Sequence, residues 1–258
     1  MPSPLLPWFS YFASGFAAGM INSVAGGGSM LTFPTLLAFG LPPLTANATN
    51  TVALIPGSAS ALWGYRDALV GARTLVLAMT LPSIAGGVLG ASLALRTGDD
   101  RFKALVPWLL LGATTLFALQ EPISRRLRIV DDAPRGPASW AALMLFQLGV
   151  ATYGGFFGAG IGILMLASLG LMGVRDIHRA NGLKNLAAVC INGVAALTFV
   201  VGGRVAWGAA AVMAAGAVLG GALGVDTARR VGPRVVRRFV MVVGIALATV
   251  MFLRRLRG

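Results

Sequence analysis

Charge is what this sequence lacks most. Only 11% of its 258 residues are charged, where a soluble domain carries roughly 25%. No Lys, Arg, Asp or Glu occurs between Met1 and Tyr65, and none occurs in 74–95, 104–120, 138–173, 185–203, 205–225 or 239–253. There is one cysteine, Cys190, so an intramolecular disulfide is excluded. There is one histidine, His178, and there are two lysines, Lys103 and Lys184. A metal-cation exporter would want membrane-depth carboxylates and histidines, which are nearly missing. No P-loop, HExxH, GxSxG or CxxC motif is present, which argues against an enzyme. No cofactor is implied.

What remains is apolar. Hydrophobic residues make up 57% of the chain. A membrane-spanning helix needs about 20 apolar residues. Most of the uncharged windows fit one span, while 1–65 and 138–173 are too long for one. A transmembrane β-barrel would show alternating strands of about ten residues, and this sequence does not. The expected class is an all-α polytopic membrane protein with about eight transmembrane helices. The start, MPSPLLPWFS, lacks a basic region of the signal-peptide kind and is expected to be retained. The net charge is +13. Its arginines border the apolar windows, where membrane proteins keep orientation signals; nucleic acid is not an expected partner, and the lipid bilayer is.

The sequence also repeats itself. Ala25-Gly26-x-Gly28 matches Ala159-Gly160-x-Gly162, 134 residues on (25 to 159), and the same offset pairs Ala46-Asn47 with Ala180-Asn181 and Ser58 with Asn192. GGVLGA (86–91) is echoed by GAVLGG (216–221). The expected organisation is an N-terminal repeat over 1–120, a charged linker over 121–137 and a C-terminal repeat over 138–258. Each repeat reads as a long uncharged segment with a glycine cluster (5–40; 138–173), an Asn-led helix (45–64; 179–200), a Gly-rich helix (74–96; 205–227) and a closing helix (103–120; 236–253). The loop charges favour inverted repeats by a small margin. In that arrangement the 121–137 and 228–238 loops share a basic, cytoplasmic side.

The glycine clusters differ in kind. GGVLGA and GAVLGG read as packing, since small residues let helices approach closely in lipid. Three consecutive glycines at 26–28 instead break a helix, and broken helices at matching positions in two repeats are how secondary transporters expose helix ends to a substrate. A helix starting at Ser29, or at Ile163 in the second half, would turn its amides toward an anion. The Asn-led helices each carry a polar stripe: Asn47, Asn50/Thr51, Leu54 and Ser58 in the first, Asn181, Lys184/Asn185, Ala188 and Asn192 in the second. Lys184 breaks the symmetry, because its counterpart is Asn50. It either snorkels to the surface or supplies the positive charge for an anion. His178 reads as a solvated residue at a membrane border, and Asp226 as a helix-end residue.

The block GFAAGMINSVAGGGSMLTFPTLLAFGLPPLTANATN, with its echo GGFFGAGIGILMLASLGLMGVRDIHRANGLKN, resembles the TauE/SafE family, the sulfite exporters. The resemblance covers nearly the whole chain. It implies a multi-pass protein of the bacterial inner membrane that carries small anions, sulfite or an organosulfonate among them. The second half departs from the first in having GIGI in place of GGGS. The expected substrate site is Gly26, Gly27, Gly28, Ser29, Asn47, Asn50, Gly160, Gly162, Asn181 and Lys184. The expected partners are a small anionic solute with a coupling proton or sodium ion, and a homo-oligomer is compatible with the sequence. A channel-like facilitator and a non-transporting membrane partner protein are the alternatives.

Overall fold

A computed structural model of the chain describes residues 5–24, 27–127 and 136–231. Every regular element among them is helical. The order is α1 (Leu6–Val24), α2 (Ser29–Ala38), α3 (Pro43–Gly64), a short 3₁₀ turn (Arg66–Leu69), α4 (Arg73–Leu127), α5 (Pro137–Phe156), α6 (Ile161–Leu171), α7 (Ile177–Val201) and α8 (Trp207–Val231). The expected closing helix at 236–253, residue Gly26 and residues 128–135 of the linker lie outside the described residues.

Local chemistry sets several of these boundaries. Pro43 and Pro137 begin α3 and α5, where a missing N–H costs nothing and the fixed φ already suits a helix. The Asp176 side chain caps α7 by accepting the Arg179 amide at 2.6 Å. α4 joins the two helices expected at 74–96 and 103–120 into one run. It bends at Gly98, whose φ of 72° is open to glycine without strain. Asp226 lies within α8, which continues five residues past it to Val231.

Three described helical stretches are long and apolar enough to cross a membrane: Arg73–Leu116, Ile177–Val201 and Trp207–Gly224. α1, α3 and α5 reach 19, 22 and 20 residues, but Ser, Asn, Thr and Gly dilute their apolarity. α2 and α6, of 10 and 11 residues, rise only about 15–17 Å, roughly half the hydrocarbon core.

Residue contacts fix the helix directions. Along α1 and α8, Trp8 faces Gly208, Gly15 faces Met213 and Gly19 faces Ala217, so the two run parallel. α3 joins the same set: the Ala206 amide donates to Thr49 Oγ1 at 3.0 Å, and Gly57 faces Ala217 and Gly221. The first arm of α4 (73–97) runs parallel to α5, with Gln147 Nε2 donating to Ser83 Oγ at 3.2 Å, Gly86 facing Ala151 and Gly90 facing Thr152. It runs parallel to α7 as well, Gly87 facing Ile191 and Leu95 facing Gly202. The two sets oppose each other. The start of α3 lies beside Ala206, just past the end of α7, while Tyr65 at its other end lies 6.3 Å from the His178 ring at the start of α7.

The GGVLGA and GAVLGG glycines are therefore contact points, as their spacing predicts. A Cβ on Gly86 would fall 2.6 Å from Ala151 Cβ and 2.7 Å from the Leu148 carbonyl oxygen; one on Gly221 would fall 2.5 Å from the Gly57 carbonyl oxygen. Small residues at such crossings let backbones meet and dispersion act over the whole helix face.

Candidate functional site

The breaks between α1 and α2 and between α5 and α6 occupy corresponding places in the two halves. In the first, the chain turns back on itself so that α2 descends along α1. Gly27 has φ 106°, and Gly28 packs so closely on Ala18 that a Cβ would fall 2.6 Å from the Ala18 carbonyl oxygen. A side chain is excluded at both positions, the first by backbone strain and the second by space. In the second break Gly158 and Gly160 both have φ 80°, and the Tyr153 hydroxyl donates to the Ala159 carbonyl at 2.7 Å, holding the turn. α6 starts at Ile161, two residues before the expected Ile163.

Between the breaks lies a cavity of about 30 Å³, room for about two water molecules. The first half lines it with Asn22, Gly27, Ser29, Leu54 and Ser58. The second contributes Gly158, Ile161, Gly162, Met165, Lys184, Asn185, Ala188 and Asn192. Three pairs related by the 134-residue offset face it together: Gly27 with Ile161, Leu54 with Ala188, and Ser58 with Asn192.

Lys184 does not snorkel. It is 1% exposed, and its Nζ donates to the Asn22 carbonyl oxygen at 3.0 Å. Among the described residues it has no carboxylate partner, and it is the only charged residue lining the cavity. Asn185, one position on, is equally buried, and its Nδ2 has no partner among the described residues. The lining thus offers the Lys184 amine, amide donors and the hydroxyls of Ser29 and Ser58, with no carboxylate among the described residues.

The predicted site residues divide. Gly27, Ser29, Gly162 and Lys184 line the cavity, and Gly28 lies between two lining residues. The Gly28 amide, expected to be open, is taken: it donates to Asn22 Oδ1 at 2.7 Å. The amides of Gly27 and Ser29 have no partner among the described residues. Asn47, Asn50, Asn181 and Gly160 are not brought to the cavity. Asn47 Nδ2 donates to the Phe156 carbonyl oxygen at 3.0 Å. Asn50 Oδ1 accepts from the Thr32 hydroxyl, tying α3 to α2. Asn181 is buried, its Oδ1 without a partner among the described residues. Gly160 packs toward Ala113 on the second arm of α4. His178 is exposed.

Asn22 is the residue that sequence reasoning missed. Its side chain caps one break and its carbonyl accepts from Lys184 Nζ. The available signal was a lone asparagine six residues before Gly28 in an uncharged run.

Phe157, next to the lining residue Gly158, belongs to a cluster of aromatic rings that does not itself line the cavity. Phe33 and Phe157 meet edge to face at 5.2 Å, and Phe102 lies 6.4 Å from Phe157. At the 134-residue offset, Phe33 corresponds to Ala167 and Phe157 to Ser23, so these rings have no counterparts in the other half. Arg204 Nη1 meets Asp99 Oδ2 at 2.6 Å, joining the α4 bend to the turn before α8.

A multi-helix membrane protein with a buried, cation-bearing cavity between two broken helices has the anatomy of a transporter. The chain belongs to the sulfite exporter TauE/SafE family, whose profile matches residues 11–251. It is 33% identical over 238 residues to probable membrane transporter protein ORF9 of Sinorhizobium sp., covering 92% of this chain and 89% of that protein. It is 30% identical over 246 residues to a probable membrane transporter protein of Haemophilus influenzae, covering 93% and 92%. It is also 30% identical over 252 residues to probable membrane transporter protein YfcA of Escherichia coli, covering 96% and 90%. No solved structure matches the chain.

Proposed function

We propose that this protein is a secondary carrier that moves a small anion, sulfite or an organosulfonate, across the bacterial inner membrane, and that the cavity between the two breaks is its binding site. The observation that carries the reading is Lys184: a lysine 1% exposed, beside a cavity whose other polar groups are amides and hydroxyls. Ionisable residues held inside a membrane bundle mark substrate pathways, and a buried cation without a protein counter-ion is a place for an anionic ligand. Gly27, Ser29, Gly162 and Lys184 form the core of this site, with Ser58, Asn185 and Asn192 beside them. Asn47 and Asn50 hold the breaks in place.

The helix directions support reading the halves as inverted repeats. α1 and α3 run opposite to α5 and α7, their counterparts in the second half. A cavity of about 30 Å³ has to widen before any polyatomic solute fits, and inverted repeats rocking about a central site would give each face its turn.

The test is a stability screen of the purified protein against sulfite, organosulfonates, sulfate and simple cations, because a ligand that binds only the folded state raises its stability. Anions that stabilise the wild type and not Lys184→Ala support the site. Stabilisation of both alike removes Lys184 from it. Counterflow in liposomes then separates carrier from channel, since a channel shows no stimulation from the far side.

A further inference from the structure

Resting on the anion site proposed above, we infer that Lys184 also carries the coupling proton: it binds the anion as an ammonium and gives that proton up when the anion leaves, so that one proton crosses with each monovalent anion.

The geometry leaves the cation one source of compensation. Lys184 Nζ has a single acceptor among the described residues, the Asn22 carbonyl oxygen. An ammonium has three N–H groups to place and a neutral amine two, so the bond to Asn22 survives in both forms. What changes between the forms is the charge, and a charge buried without a partner is strongly disfavoured. A bound anion supplies that partner. When it departs, water entering the opened cavity accepts the proton from Nζ, the amine stays behind neutral, and the empty carrier returns uncharged. No bond other than N–H is made or broken.

Nothing else in reach substitutes for the anion. Among the described residues, α1, α2, α3 and α6 carry no Asp, Glu, Lys, Arg or His. From the other elements packed on α7, Asp67 pairs with Arg66 on the exposed 3₁₀ turn. The Tyr153 hydroxyl on α5 is committed to the Ala159 carbonyl. Asp99 on α4 pairs with Arg204; among the residues of α4 whose side chains are described, Arg73, Arg96, Asp100, Arg101 and Lys103 do not line the cavity. On α7 itself, His178 packs near Tyr65, Arg179 donates to the Ala68 and Val70 carbonyls, and Cys190 lies off the cavity. In the first half, the position equivalent to Lys184 is the neutral Asn50. Among the described residues the lining therefore holds one titratable amine, which matches one proton to one negative charge.

The experiment uses the full chain in liposomes with labelled methanesulfonate, a monovalent anion that carries no proton of its own near neutral pH. With the membrane potential clamped at zero, the wild type is expected to concentrate the probe on the alkaline side by about tenfold per pH unit, the equilibrium limit for one proton per anion. A potential of either sign at equal pH is expected to leave the initial rate unchanged. Lys184→Arg, whose charge is not lost in proteins, is expected to abolish accumulation driven by pH. A wild-type rate that follows the potential and ignores the pH gradient overturns the coupling and leaves the anion site standing, as does proton-driven accumulation by Lys184→Arg. Methanesulfonate that neither stabilises the wild type nor crosses the membrane overturns the site and the coupling together. The wild-type arms decide the matter even where the arginine variant fails to fold.

Discussion

The glycine crossing between α4 and α5 makes a quantitative prediction, because one substitution has opposite signs at two places on the same helix pair. At Gly86 a new methyl group would fall 2.6 Å from Ala151 Cβ, 2.7 Å from the Leu148 carbonyl oxygen and 2.8 Å from the Thr152 amide nitrogen. Two of these are backbone atoms, so the helices themselves have to part. At Gly149 on α5 nothing lies within 4 Å of the same methyl group. Both positions are helical, so both variants gain the alanine preference of about 0.5–1 kcal/mol. Only Gly86→Ala also meets the overpacking cost of about 1–3 kcal/mol. Gly149→Ala should therefore be stabilised by about 0.5–1 kcal/mol and Gly86→Ala destabilised by up to about 2.5 kcal/mol. The helix term cancels in the difference between the two, which reads the contact alone. Unfolding of the two purified variants in the same detergent measures it. Equal stabilities would refute the close approach of α4 and α5, and with it the assigned helix pairing.

Two further predictions concern the supports of the site. Thr32→Val keeps the shape but leaves Asn50 Oδ1, at a residue 2% exposed, without its donor; the expected cost is about 1–3 kcal/mol, and Thr32→Ser should restore most of it in the same unfolding assay. Asp176→Ala removes the cap of α7 and should cost about 0.5–2 kcal/mol, with Asp176→Asn losing markedly less; protection of the first α7 amides from hydrogen exchange should fall in step.

Some of this structure was legible in the residues and some was not, for identifiable reasons. The bounds of α3 and α7 fell within about two residues of expectation, because an uncharged window bracketed by prolines, glycines and arginines leaves little freedom. The breaks were legible because 1–65 is too long for one span and its glycines cannot continue a helix. The fate of the asparagines was not. Helical spacing puts Asn47, Asn50, Leu54 and Ser58 on one face, but a face does not say what it meets. Asn47 finds a carbonyl at Phe156, 109 residues away, and Asn50 a hydroxyl on α2. The lower part of the stripe meets the cavity and the upper part meets structure. Likewise the glycine run looked like a set of open amides, yet Asn22 closes one of them from the preceding helix. The bend at Gly98 was hidden because a polar, charged stretch inside a helix reads as a loop.

The helix pairings also bear on how such a chain divides. α8 lies on α1 and α3, and the first arm of α4 lies on α5 and α7, so each half lends its glycine-rich helix to the other. The two bodies that face each other across Lys184 are not the two halves of the sequence; each is assembled from both. Cutting the polypeptide in the linker would leave neither piece a finished surface, and the fragments should function only when supplied together.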